Sequence, residues 1–139
     1  MKRENLVRRV VRQVWGNLAV WTEPTWGSSV GLPDVVLPLG RGGVAVELKD
    51  WGRFGRKGCL VAARPAQRRW HVLAAERGER SLFLALVDEG IWAFNGKYIN
   101  DYSHLMGESN CFKRLGYWED SAEILSNFNA LAKDKLFWK

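Results

Sequence analysis

The run GLPDVVLPLGRGGVAVELKDW sets Asp34 behind Pro33 and places Glu47, Leu48 and Lys49 at the end of an apolar stretch. Two strands joined by the Gly-rich turn at 40–43 would bring Asp34 and Glu47 together at one edge of a small sheet, with Lys49 beside them. Two carboxylates and an ammonium converging in this way are what a divalent cation and an attacked phosphodiester require. Strand residues alternate faces, so Glu47 and Lys49 share one face while Leu48 turns into the core. Glu47 can offer an oxygen to Mg2+, the Leu48 carbonyl is a further hard ligand, and Asp34 is the central one. Oxygen donors of this kind suit Mg2+, or Mn2+ as its substitute, and not zinc. Lys49 would reach the attacking water or the phosphate oxygens and stabilise charge at phosphorus. The same residues also fit a plainer arrangement, a solvated cross-strand pair with Asp34 ending a turn.

The elements that must position these residues follow from periodicity. Leu6, Val7, Val10, Val11 and Val14 recur at helical spacing among Arg3, Arg8, Arg9 and Arg12, giving an amphipathic opening helix with a basic side that ends near Gly16. A short strand over 18–22 follows, then a loop over 23–30 carrying Trp26, Gly27, Ser28 and Ser29. Pro33 favours extended backbone, so 34–39 reads as a second strand and 44–49 as a third. The stretch 50–63 reads as a basic loop over one edge of the sheet. Pro65 suits the first position of a helix running to about Arg77, with Gly78 as its cap. Trp70, Leu73 and Ala74 would face the sheet, with Arg68, Arg69 and Glu76 wetter. The continuous apolar run 81–87 suits a central strand covered on both faces, and 91–94 a further strand before Asn95-Gly96 and a short extended piece. Beyond Asp101 the pattern weakens until a final helix over 121–133.

A chain of 139 residues with 47% apolar content suits one domain around one core, with 2–87 carrying the site and 88–139 extending it. The net charge of +6 is unevenly spread. Lys2, Arg3, Arg8, Arg9 and Arg12 face Glu4 alone, and Arg53, Arg56, Lys57, Arg64, Arg68 and Arg69 have no acid among them. Such clusters point to a polyanion, nucleic acid ahead of a membrane. No apolar run approaches bilayer length, and the charged opening residues lack the apolar core of a secretion signal. Cys59 and Cys111 are too few for a disulfide scaffold, and His71 and His104 too far apart for a zinc centre. The expected setting is intracellular and reducing. Trp15, Trp21, Trp70 and Trp92 read as core, while Trp26 and Trp51 lie in loops, placed to stack on exposed bases or to fold over the core. His71 reads as structural or surface.

Through Pro33-Asp34, Glu47-Leu48-Lys49, Gln67 in RPAQRRW, and Gly27-Ser28 ahead of the Pro-Asp pair, the chain resembles the PD-(D/E)XK nuclease superfamily. Within it the likeness is to small archaeal-type Holliday junction resolvases, VRR-NUC-like domains and phage endonucleases. The resemblance covers about 2–87 and implies a restriction-endonuclease-like α/β core: a mixed central sheet flanked by helices in the order αβββαβ, with extra C-terminal strand and helix elements. It implies Asp34, Glu47 and Lys49 as catalytic residues and a further glutamate from the first helix. Glu4 matches that position best and the loop residue Glu23 competes, although Glu4 equally suits an acid favoured by the helix dipole. Ser28 or Ser29 would touch the scissile phosphate, or simply form a turn. Gln67 would orient Lys49 or a water, or be an ordinary helix surface residue. Arg53, Arg56, Lys57, Arg64, Arg68 and Trp51 would grip the nucleic acid.

The implied function is a Mg2+-dependent endonuclease that cuts DNA by in-line attack of water, leaving 5′-phosphate and 3′-hydroxyl ends, with branched DNA such as a four-way junction as one candidate substrate. The resemblance also implies a homodimer, for which Trp118, Phe128, Phe137 and Trp138 offer an interface. It requires no organic cofactor, and it places the protein in the cytoplasm, the host's if the chain is phage-encoded. Two alternatives compete: a non-cleaving DNA- or protein-binding protein on the same fold, and an unrelated α/β protein whose motifs are accidental.

Overall fold

A stripe of Val7, Val10, Val11 and Trp15, each at most 4% exposed, drives the opening helix α1 (Arg3–Trp15) onto a sheet. The computed structural model describes residues 3–22, 31–55, 59–101, 104–105 and 110–139, with the backbone alone for 3–5, 59–60 and 104–105. After a 3-10 turn at Gly16–Leu18 come β1 (Val20–Trp21), β2 (Val35–Leu39), β3 (Gly42–Gly52) and β4 (Cys59–Leu60). Then follow α2 (Pro65–Glu76), β5 (Ser81–Val87), β6 (Gly90–Asn95), β7 (His104–Leu105), β8 (Phe112–Tyr117) and α3 (Ser121–Ala130). The main sheet has the order β1-β2-β3-β5-β6-β8, while β4 and β7 form a separate pair. β3 and β5 are parallel because α2 carries the chain across between them; the other neighbours in the main sheet are antiparallel. This is the mixed, helix-flanked αβββαβ arrangement expected for a restriction-endonuclease-like core, with C-terminal additions.

Strand alternation divides the interior into two layers. Val44, Val46, Leu48, Leu82, Leu84 and Leu86 pack with α1 and α3. Phe83, Ala85, Val87, Phe94 and Trp51 form a second cluster, on the face to which Glu47 and Lys49 also turn. β5 is buried along its whole length, as its apolar run requires.

Several expectations change. The site-bearing strand β3 is interior, flanked by β2 and β5, and does not lie at a sheet edge. It also runs on to Gly52, because Trp51 stacks on Phe83 at 5.8 Å and its indole N–H donates to the Ala62 carbonyl at 2.9 Å. The inward face of α2 is Gln67, His71 and Ala74, while Leu73 is 42% exposed. Asn95 caps the Lys97 N–H at 3.0 Å and so makes a 3-10 turn (Gly96–Tyr98) where an extended piece was expected. β8 escaped the pattern because a register shift against β6 breaks its alternation. Phe128 and Phe137 are wholly buried, Phe128 against the edge of Trp15 and Phe137 with its carbonyl bonded by Asn95, so neither is available to a second copy.

One glycine controls how the Pro-Asp segment meets α2. Gly31 has φ +85, and a Cβ there would lie 2.8–3.0 Å from the backbone and side chain of Ala66 in the first turn of α2. Gly31→Ala should therefore destabilise the protein by about 1–3 kcal/mol, measured by urea unfolding. Wild-type stability in that variant would show that the contact is not required.

Candidate active site

Register brings the two acids together. Val35 pairs with Val46 in the β2–β3 hairpin, so Asp34 stands opposite Glu47, and opposed side chains share a face. The Asp34 N–H donates to the Val46 carbonyl at 3.0 Å, extending the ladder past the end of β2.

Each carboxylate is held from the protein side. Asp34 Oδ2 accepts the Leu48 backbone N–H at 2.8 Å, and Oδ1 accepts from Arg8 Nη2 at 3.1 Å. Glu47 is 2% exposed; its Oε1 accepts from Gln67 Nε2 at 2.8 Å, and its Oε2 has no hydrogen-bond partner among the described residues. Gln67 Oε1 in turn accepts from Lys49 Nζ at 2.7 Å and from the Arg64 backbone N–H at 3.0 Å. An amide donates only through its nitrogen, so these partners fix its orientation. Pro65 starts α2 at this point, which sets Gln67 on the first turn. A cleft of about 390 Å³ opens over Asp34 and Glu47, with Arg8 and Arg64 on its walls.

Burial, and after it the neighbouring Asp34 charge, push the Glu47 carboxyl up to about 8 against the opposing pull of Lys49 and Arg64. Burial and the Lys49 charge push His71 down to about 3, so its ring is neutral near pH 7. Among the described residues no three His, Cys, Asp or Glu side chains form a metal cluster. A Mg2+ ion nonetheless needs only one or two carboxylates when water and substrate phosphate complete its shell. Two adjacent carboxylates, Asp34 and Glu47, lining one cleft fit such an ion.

The structure brings Asp34, Glu47, Lys49, Gln67 and Arg64 together. Glu4 lies one helical turn before Arg8, on the same face of α1, and its side chain falls outside the described residues, as do Glu23, Ser28, Ser29, Arg56 and Lys57. Arg53 is exposed beyond the end of β3 and lines a different cleft with Phe54 and Trp92. Two expected contacts to nucleic acid do not hold. Trp51 is a core residue, 6% exposed. The Arg68 guanidinium is spent on the carbonyls of Ala63, Ile99 and Val61 at 3.0, 2.8 and 3.4 Å, where it clamps the loops around α2.

Two residues at the site were missed. Arg8 belongs to the basic side of α1, and only the tertiary fold lays it on Asp34, with its guanidinium 5.7 Å from the Trp21 ring. His71 is fully buried, with Nε2 3.7 Å from Glu47 Oε2. Its spacing of four from Gln67 was the available signal, since that interval stacks two side chains on one helical face.

No family model matches the chain, and no curated protein matches it. Among solved structures it is similar to Hjc of Archaeoglobus fulgidus, a Holliday junction resolvase from an archaeal hyperthermophile. The TM-score is 0.48 at 18% identity, covering 67% of this chain and 76% of that one. So distant a likeness leaves the chemistry to this chain's own geometry.

Glu47 links stability to pH. Its carboxyl titrates near 4.5 when unfolded and near 8 in the fold, so across that window the unfolded chain has lost a proton that the folded chain retains. Stability in chelator should therefore fall as pH rises from about 4.5 to about 8. The increase in melting temperature given by Mg2+ should grow over the same range, and Glu47→Gln should remove both trends. A Mg2+ effect independent of pH would contradict the assignment.

Proposed function

We propose that this protein is a Mg2+-dependent endodeoxyribonuclease, a single-domain cytoplasmic enzyme that hydrolyses phosphodiester bonds, with branched DNA such as four-way junctions as its substrate. The observation that carries the proposal is the buried Gln67 amide, which ties Glu47 and Lys49 into one hydrogen-bonded unit across the hairpin from Asp34. A carboxylate pair with an ammonium fixed next to it suits hydrolysis of a phosphate ester better than it suits a solvated surface pair.

Asp34, Glu47 and the Leu48 carbonyl would hold the ion. When bound, Mg2+ supplies the acidity that activates water and the charge that offsets the departing oxygen. The remaining work belongs to the chain. Gln67, bonded to both side chains, holds Lys49 Nζ beside Glu47, where it would stabilise charge developing on the phosphate. Arg64 and Arg8, on the cleft walls, attract and orient the diester. Asp34 is aimed by the Leu48 N–H and Arg8. Two opposed cuts at a junction need two such sites, so the working form is a homodimer.

A second proposal, nucleic-acid binding without cleavage, is favoured by one contact: the Arg8 guanidinium occupies the Asp34 oxygen left free by Leu48. Cleavage of labelled four-way junction, flap and duplex DNA in Mg2+, Mn2+ or chelator separates the two. For the nuclease, Asp34→Asn and Glu47→Gln should each slow cutting about a thousandfold, and Lys49→Met about a hundredfold, while sparing binding. Metal-independent cutting retained in both acid variants would overturn the mechanism. Salt-sensitive binding with no cutting in any metal would favour the second proposal.

A further inference from the structure

We propose that His71 is a positioning residue of this site: its Nε2–H, aimed at Glu47 Oε2, fixes that carboxylate in the orientation that serves a divalent cation. The inference rests on the metal-dependent function proposed above and extends it to a residue beyond the nuclease motif.

Glu47 Oε2 and His71 Nε2 are both buried, neither has a hydrogen-bond partner among the described residues, and they face each other at 3.7 Å. Burying such a pair costs stability that an apolar ring would not. The surroundings of the ring are apolar, with Phe83 at 4.3 Å and Trp70 at 5.0 Å between centroids, so packing alone would be met by phenylalanine. The fold instead makes specific provision for the imidazole. Its Nδ1 lies 2.7 Å from the buried hydroxyl of Ser81, at the start of β5. Gly96 leaves the room for this pair, since a Cβ there would overlap both Ser81 Oγ and His71 Nδ1.

A neutral imidazole has one donor and one acceptor nitrogen. With the Ser81 hydroxyl donating to Nδ1, the ring proton sits on Nε2 and points at Glu47. Gln67 and His71, one turn apart on α2, then address the two oxygens of the same carboxylate, Oε1 by a formed bond and Oε2 across a gap that a shift of about 0.8 Å would close. A carboxylate donated to at both oxygens cannot rotate away from the cleft, and positioning groups of this kind set metal affinity.

The test uses the full chain, with Mn2+ affinity measured by calorimetry and the His71 tautomer by 15N NMR in saturating Mg2+. Wild type should show the proton on Nε2. His71→Phe should still melt cooperatively yet bind Mn2+ about tenfold more weakly. His71→Gln, whose amide nitrogen can reach the Nε2 position, should recover part of that loss, and Ser81→Ala should weaken binding less than His71→Phe. Unchanged Mn2+ affinity in folded His71→Phe would overturn the inference alone. So would an Nδ1–H tautomer in wild type, a result that requires no variant to fold. Absence of Mn2+ binding by wild type would overturn the metal-dependent function, and this inference with it.

Discussion

Gln67 sits where three constraints meet. Its amide is 4% exposed and satisfies the Glu47 carboxylate, the Lys49 ammonium and the unpaired N–H at the start of α2. An amide is suited to this position because it donates and accepts at fixed separation without adding charge. A carboxylate there would set a third negative group beside Glu47 and Asp34, and an apolar side chain would leave the Arg64 N–H and a buried carboxylate oxygen unsatisfied. Helix start, strand chemistry and charge balance are therefore coupled through one side chain.

The electrostatic character of the site follows from burial more than from charge count. Lys49 and Arg64 draw on Glu47, yet its carboxyl is pushed up to about 8 because desolvation, with the Asp34 charge behind it, outweighs their attraction. Asp34, better exposed and bonded by Arg8 and the Leu48 N–H, sits in the opposite kind of environment. Two carboxylates placed so differently within one cleft suit the exchange of a proton for a cation on which the proposed hydrolysis would rely.

This chemistry depends on the sheet having two unlike faces. The α1/α3 side is filled by valine and leucine and carries the stability. The α2 side is aromatic near Phe83 and Phe94 and turns polar where Gln67 and His71 meet Glu47. Placing Glu47 and Lys49 on an interior strand holds them rigidly, because β2 and β5 fix the strand from both sides. The polar inward face of α2 also explains why apolar periodicity put Leu73 inside: the helix is amphipathic about its site as much as about its core.

Sequence alone determined the local elements and the identity of the reactive groups. Val44, Val46 and Leu48 alternating with Glu47 and Lys49, the valine stripe of α1, Pro65 at a helix start and the unbroken run of β5 are short-range signals, each set by backbone geometry and burial. Tertiary structure decided what those signals cannot contain. It laid Arg8 on Asp34, drew Trp51 into the core, committed Arg68 to carbonyls and set His71 against Glu47. Most of these contacts join residues well separated in the chain, and long polar or aromatic side chains find such partners only after the sheet and helices have packed.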